Sequence, residues 1–155
     1  QSRGLGDVYK RQGQRDDAPA IYWYDTFYAA QDQATHFGAG LAYDGAWSPV
    51  SEQIVLVSND SGNDEIWRIH RDGSNVVQLT RNDWEWDKHP SWSPNGEQIV
   101  FYSNRTGRNQ IWIMDKDGRE QRLLMPENPY NDWNPVWIKY ADPAPQLPAA
   151  FLPAR

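Results

Sequence analysis

Cysteine is absent from all 155 residues, which excludes a disulfide framework and a thiolate metal site and leaves the redox compartment unread. Long apolar runs are absent too. None approaches the ~18–20 residues of a membrane-spanning helix, so no membrane insertion is expected. Cations are in the minority, 15 Lys and Arg against 21 Asp and Glu, and a net charge of −6 argues against a nucleic-acid partner. No window of ten residues keeps a helical period. The first dozen residues, QSRGLGDVYKRQ, lack the apolar segment and small-residue cleavage site of a signal peptide. They match nothing that follows, and residues 1–17 read as a non-native or disordered extension. Catalytic signatures are missing as well: there is no G-x-S-x-G elbow and no H-E-x-x-H. His36, His70 and His89 share no common spacing, so neither a catalytic residue, a metal centre nor a cofactor is expected.

Aromatic residues, in contrast, are plentiful, with nine Trp and eight Tyr, a density that suits a β-rich core, a binding face, or both. Many of them recur at a fixed offset of 45 residues. Trp47-Ser48-Pro49 falls on Trp92-Ser93-Pro94, Glu52-Gln53-Ile54-Val55 on Glu97-Gln98-Ile99-Val100, Ile66-Trp67 on Ile111-Trp112, and Asp72-Gly73 on Asp117-Gly118. Between 47–79 and 92–124, 15 of 33 positions are identical without a gap. The same offset carries Asp87, Pro90 and Trp92 onto Asp132, Pro135 and Trp137, and extends back to Ile21, so this is a repeat protein.

Each unit has the chemistry of short strands. QIVLVSN and QIVFYSN are β-branched and aromatic, apolar on both faces, as strands between neighbouring layers should be. NDSGND and NRTGRN are turns, EIWRIHR and QIWIMDK second strands, and VVQLTR and QRLLMP third strands. The segment before each Trp-Ser-Pro supplies a fourth. Four strands in 45 residues give an all-β propeller blade. The chain divides into a partial blade 18–40, blades 41–85 and 86–130, a final strand 131–140 and a Pro-rich linker or tail 141–155. About two whole blades plus partial ones leave the ring unclosed, and open blade edges favour self-association.

The order Trp-Ser-Pro-x-Gly, strand, Ser-Asn-x-x-Gly, Ile-Trp, Asp-Gly, Leu-Thr resembles the WD40-like repeat of the TolB-type β-propellers. The first unit departs from it, reading WSPVS without the glycine. The resemblance implies a non-catalytic protein- or peptide-binding scaffold in an extracytoplasmic (periplasmic or secreted) setting. Two alternatives stay open: the accessory propeller of a prolyl-oligopeptidase-like serine hydrolase, and a carbohydrate-binding propeller.

The candidate ligand-binding residues lie in two loops, NDWEWDKHP (82–90) and NPYNDWNP (128–135), placed at a channel mouth by the innermost strand that follows each. They are Trp84, Trp86, Asp87, His89, Asn131, Asp132, Trp133 and Asn134. Asp87 and Asp132 are repeat positions, and the resemblance implies that they order the loop by accepting backbone hydrogen bonds. His89 aligns with Asp44 and Asn134, which are polar but different, as at a position free of repeat constraint. Trp47, Trp67, Trp92, Trp112 and Trp137 are expected in the core, each indole N–H meeting a partner in the ladder. A carboxylate pair for glycoside hydrolysis, from Asp44, Asp87 and Asp132, stays open. DKDGRE (115–120) begins like a calcium loop but lacks its later ligands, so it reads as a hairpin turn.

Overall fold

In the computed structural model, described over residues 19–139, strands and turns account for all regular structure and no helix occurs. The expected extension 1–17 and tail 141–155 lie outside the described residues. The strands are β1 (Tyr22–Asp25), β2 (Ala30–Gln33), β3 (Ala42–Trp47), β4 (Gln53–Ser58), β5 (Glu65–His70), β6 (Val77–Gln78), β7 (Asp87–Trp92), β8 (Gln98–Ser103), β9 (Gln110–Asp115) and β10 (Arg122–Leu123). They form a β1–β2 hairpin and two antiparallel sheets ordered β3-β4-β5-β6 and β7-β8-β9-β10. The sheets meet through β7, which lies against β3, β4 and β5, whereas β6 and β10 do not touch. Sheets that converge at their first strands and splay at their last have the radial geometry of propeller blades.

Apolarity on both strand faces is the cause of this layering. Ile54 and Leu56 of β4 join Ile21, Ala34, Ala42 and Ile69 in a cluster facing the hairpin. Val55 and Val57, alternating with them, join Ile66, Trp92, Ile99, Phe101 and Met114 in the cluster between the two sheets. The far face of the second sheet carries Val100, Tyr102, Ile111 and Ile113 under Trp86 and Trp137. The outermost strands are shorter than VVQLTR and QRLLMP suggest, two residues each, because that edge has a single neighbour and Val76, Val77, Leu124 and Met125 meet solvent.

Turns repeat with the strands. Trp47 pairs with Ile54 and Trp92 with Ile99, and in both units the serine after Trp donates its N–H across the turn at 2.8 Å, to Gln53 and Gln98. Gly96 takes φ +70° to close the second of these turns. Its counterpart Ser51 has no positive φ and donates its hydroxyl to Ser48 instead, so the WSPVS unit closes with a different turn. The Asp-Gly turns dock each blade on the one before it, Gly118 beside the Leu79 carbonyl and Gly73 beside that of Ala34. In the DKDG turn the Asp115 carboxylate accepts the N–H groups of Asp117 and Arg119, as a hairpin turn requires.

Two expectations need correction. Of the five core tryptophans, Trp92 alone is paired, its indole N–H donating to the Ala46 carbonyl at 3.1 Å. The buried N–H groups of Trp47, Trp67, Trp112 and Trp137 have no partner among the described residues. The β5 and β9 tryptophans use their ring faces: Phe37 meets Trp67 edge-on at 5.1 Å, and the Arg105 guanidinium lies 4.5 Å over Trp112. The second correction concerns the final strand. Residues 131–139 form no ladder among the described residues, because no second strand lies beside them there.

Candidate functional site

The loops 82–86 and 128–132 sit beside the β4–β5 and β8–β9 turns, at the same end of each sheet. Backbone amides at their ends are fixed by the preceding turn: Asp87 N–H donates to the Asp64 carbonyl and Asp132 N–H to that of Asn109, both at 2.8 Å. Asn59 and Asn104, the asparagines of the repeated Ser-Asn, accept from Leu41 N–H at 2.8 Å and Trp86 N–H at 2.9 Å. Short polar side chains that accept from the backbone make such irregular loops rigid.

Beneath the 82–86 loop lies a buried polar network. Glu65, fully buried on β5, accepts from the Thr80 hydroxyl at 2.5 Å, Asn82 N–H at 2.5 Å, the Asn82 amide at 3.1 Å and the Asn63 amide at 3.2 Å. The Asn82 amide also donates to Asp87 at 3.0 Å, and the Arg105 guanidinium pairs with the same Asp87 oxygen. Burial pushes the Glu65 carboxyl above the usual glutamate range; the Thr80 and Asn82 hydrogen bonds oppose this and the nearby Asp87 adds to it. The other Asp87 oxygen is buried and has no partner among the described residues.

Nearer the converging edge, polar and aromatic side chains of both sheets meet. Lys88 pairs with Asp64 at 2.9 Å and lies 5.0 Å over the Trp86 ring. Trp86 meets Tyr102 edge-on at 5.4 Å, and His89 stacks on Tyr102 at 5.5 Å. Across the seam, His89 Nε2 lies 3.3 Å from the Asp44 carboxylate. Burial, and then the bond to Asp64, push the Tyr43 phenol well up. Trp84 and Trp133 stand clear of this cluster, 69% and 55% exposed.

A family model described as the TolB beta propeller domain matches residues 14–142. The chain belongs to this family. It is similar to the TolB-type chain of Agrobacterium tumefaciens, at 30% identity and a TM-score of 0.64 over 71% of this chain and 42% of that one. TolB of Acinetobacter baumannii matches at 30% identity and a TM-score of 0.66, over 79% of this chain and 30% of that one. The tricorn protease, at 15% identity and a TM-score of 0.53 over 67% of this chain and 9% of that one, shares the fold alone. This chain therefore spans less than half the length of either TolB structure. The comparison with curated proteins gives no match.

Within this TolB-type frame the predicted residues separate. Trp86 and His89 join one cluster at the seam, while Trp84 and Trp133 are exposed at loop positions. Asp87 is buried, and it orders its loop through the Asn82 amide and Arg105 rather than through backbone donors. Asp132 likewise accepts from the Asn128 amide at 2.6 Å, and the Asn131 side-chain oxygen Oδ1 accepts Asn109 N–H at 3.0 Å. A carboxylate with no exposure cannot reach a glycosidic bond, which removes Asp87 from any hydrolytic pair.

His89 corrects the reading of its position as unconstrained. Asp44, His89 and Asn134 all take positive φ, at 51°, 48° and 51°, the first two at the bulges where β3 and β7 slip register. Asp, His and Asn are the non-glycine residues that best tolerate this conformation, so the repeat constrains the backbone and leaves the side-chain chemistry open. Sequence reasoning missed Tyr43, Asp64, Lys88 and Tyr102. A signal existed: Tyr43, Lys88 and Trp133 occupy one repeat position, as do Val57 and Tyr102, and both sets differ sharply in chemistry.

Proposed function

We propose that this TolB-type segment is a non-catalytic scaffold that recognises a protein or peptide through the loop face carrying Trp84, Trp86, Asp87, His89, Asn131, Asp132, Trp133 and Asn134, in an extracytoplasmic setting. The observation that carries the reading is the exposure of Trp84 and Trp133 on loops whose backbones are pinned. Rigid, exposed aromatics give contact area at low entropic cost, which is what a recognition surface needs. Asp87 and Asp132 hold the loops, Trp84 and Trp133 make contact, and Lys88 and His89 offer polar groups at the seam. The accessory-propeller alternative gains no support, since the protease likeness carries only the fold. Self-association through open blade edges would compete with recognition at high concentration.

The test is selection of peptides from a displayed random library against the 155-residue chain. The reading expects enriched peptides whose affinity falls at least tenfold in Trp84→Ala and Trp133→Ala, with the thermal midpoint unchanged. Exposed indoles also suit a sugar ring. Saturable quenching by oligosaccharides, lost in the same two variants, would replace the peptide reading with the glycan one.

A further inference from the structure

One piece of chemistry recurs three times inside the fold. Lys88 lies 5.0 Å over the Trp86 ring and pairs with Asp64 at 2.9 Å. The Arg105 guanidinium lies 4.5 Å over Trp112 and pairs with Asp87. Arg71 lies 5.3 Å over Trp23 and pairs with Glu52 at 3.3 Å. Each cation meets both the face of an indole and a carboxylate, two attractions that act on the same charge.

Trp84 presents the same two groups outward. Its ring is 69% exposed, and no cation among the described residues lies over it. It stands between Asp83 and Glu85, and the Glu85 carboxylate turns back to accept the Trp84 N–H at 3.4 Å. The loop is pinned: the Asn63 amide donates to the carbonyls of Asn82 and Glu85, and Asn82 N–H donates to Glu65. The sister loop lacks these groups. At the 45-residue offset Asp83 and Glu85 become Asn128 and Tyr130, and Asp60 in the adjoining turn becomes Arg105. Across 60–65 and 81–88 the first unit has six carboxylates and two cations, whereas across 105–110 and 126–133 the second has two of each. Asp64 and Asp87 are taken up by Lys88 and Arg105, and Glu65 is buried, which leaves Asp60, Asp83 and Glu85 against Arg81. Trp133 has only Asp132 beside it, and that carboxylate accepts the Asn128 amide.

We propose that Trp84, Asp83 and Glu85 form a seat for a cationic side chain, arginine or lysine, of the peptide that the loop face recognises. The seat rests on the recognition reading above and adds to it the charge of the residue taken. The cation lies over the exposed ring, as Lys88 lies over Trp86, with the two carboxylates beside it. A planar guanidinium suits the site best, because it stacks on an indole while its N–H groups reach a carboxylate. Trp133, beside a carboxylate already bonded, takes an uncharged group. The two loops therefore sort a peptide by charge as well as by apolar area.

The experiment titrates the 155-residue chain into a dye-labelled hexa-arginine peptide and into its hexacitrulline counterpart, which keeps the shape without the charge, read by fluorescence anisotropy. Saturable binding of hexa-arginine alone is expected. Affinity should fall at least about threefold in Trp84→Leu, which keeps an apolar side chain but removes the ring, and again in the pair Asp83→Asn and Glu85→Gln. It should be unchanged in Trp133→Leu and in the charge-matched pair Glu120→Gln and Glu127→Gln, both exposed and outside the 82–86 loop. Equal loss in the charge-matched pair, equal binding of hexacitrulline, or undiminished binding to Trp84→Leu overturns the proposal. In the displayed-library selection, peptides that depend on Trp84 are expected to carry arginine or lysine. Trp84-dependent peptides without a cation would overturn the seat and leave peptide recognition standing, whereas a library that yields no binder would remove both.

Discussion

The first and second four-stranded sheets share strand order and register, yet the first is covered by β-structure on both faces and the second on one. Ile54, Val55, Leu56, Val57 and Ile66 of the first are at most 1% exposed, whereas Val100, Tyr102 and Ile111, at matching positions of the second, keep 5–7%. Loop side chains and the unpaired segment 131–139 cover that second face. A blade is thus completed by its neighbour, the nearest-neighbour logic of repeat proteins.

The sharpest way to break this comparison is to make the same truncation at one repeat position in each sheet. Ile66→Ala, between the sheets, should cost about 4 kcal/mol in urea unfolding, and Ile111→Ala, under the loop cover, about 2 kcal/mol. The cavity at Ile111 lies beneath side chains able to relax into it. Equal costs would mean that both faces are equally rigid.

A smaller effect is expected from the Asp-Gly turns, which dock at both seams. Gly73 and Gly118 each have φ +81°, but a Cβ at Gly118 would come 2.6 Å from the Leu79 carbonyl oxygen, against 3.2 Å from that of Ala34 at Gly73. Gly118→Ala should therefore cost about 2–3 kcal/mol and Gly73→Ala about 1–2 kcal/mol, measured by thermal unfolding. The reverse order would show the hairpin seam to be the tighter of the two.

The smallest effect concerns Glu65, which occupies the seat that Gln110 fills in the second sheet. Because burial raises its carboxyl in the fold, the native state holds that proton more tightly than the unfolded chain does. Stability from this group is full below the ordinary glutamate range, near pH 4.3, and is lost as pH rises through the raised value. Glu65→Gln should flatten that decline, so its stability relative to the wild type improves as pH rises toward 7. Parallel profiles for the two proteins would place the pH dependence elsewhere.

The repeat was legible because strand chemistry, turn glycines and tryptophans recur in register, and those are the features that set a blade's layers. The fates of the indole N–H groups were not, because a ring's neighbours lie outside its own strand: Phe37, from the preceding unit, on Trp67, and Arg105, from the β8–β9 turn, over Trp112. For the candidate site, the loops could be read from their place before Trp-Ser-Pro. The sorting of their residues could not. Asp87 and Trp84 lie three residues apart, yet one is sealed by Asn82 and Arg105 and the other faces solvent. That split depends on Arg105, 18 residues away on a turn of the same sheet. The left-handed position was visible only as an unexplained variety of Asp, His and Asn.

That variety has an evolutionary corollary. The codons for aspartate, histidine and asparagine differ from one another at their first base alone, so any of the three becomes another in a single mutational step. At positions 44, 89 and 134 each such step leaves the chain's path intact while switching the side chain among anionic, proton-accepting and neutral forms. A lineage of these proteins could therefore retune the electrostatic character of this seam one blade at a time, with the left-handed turn of the backbone kept.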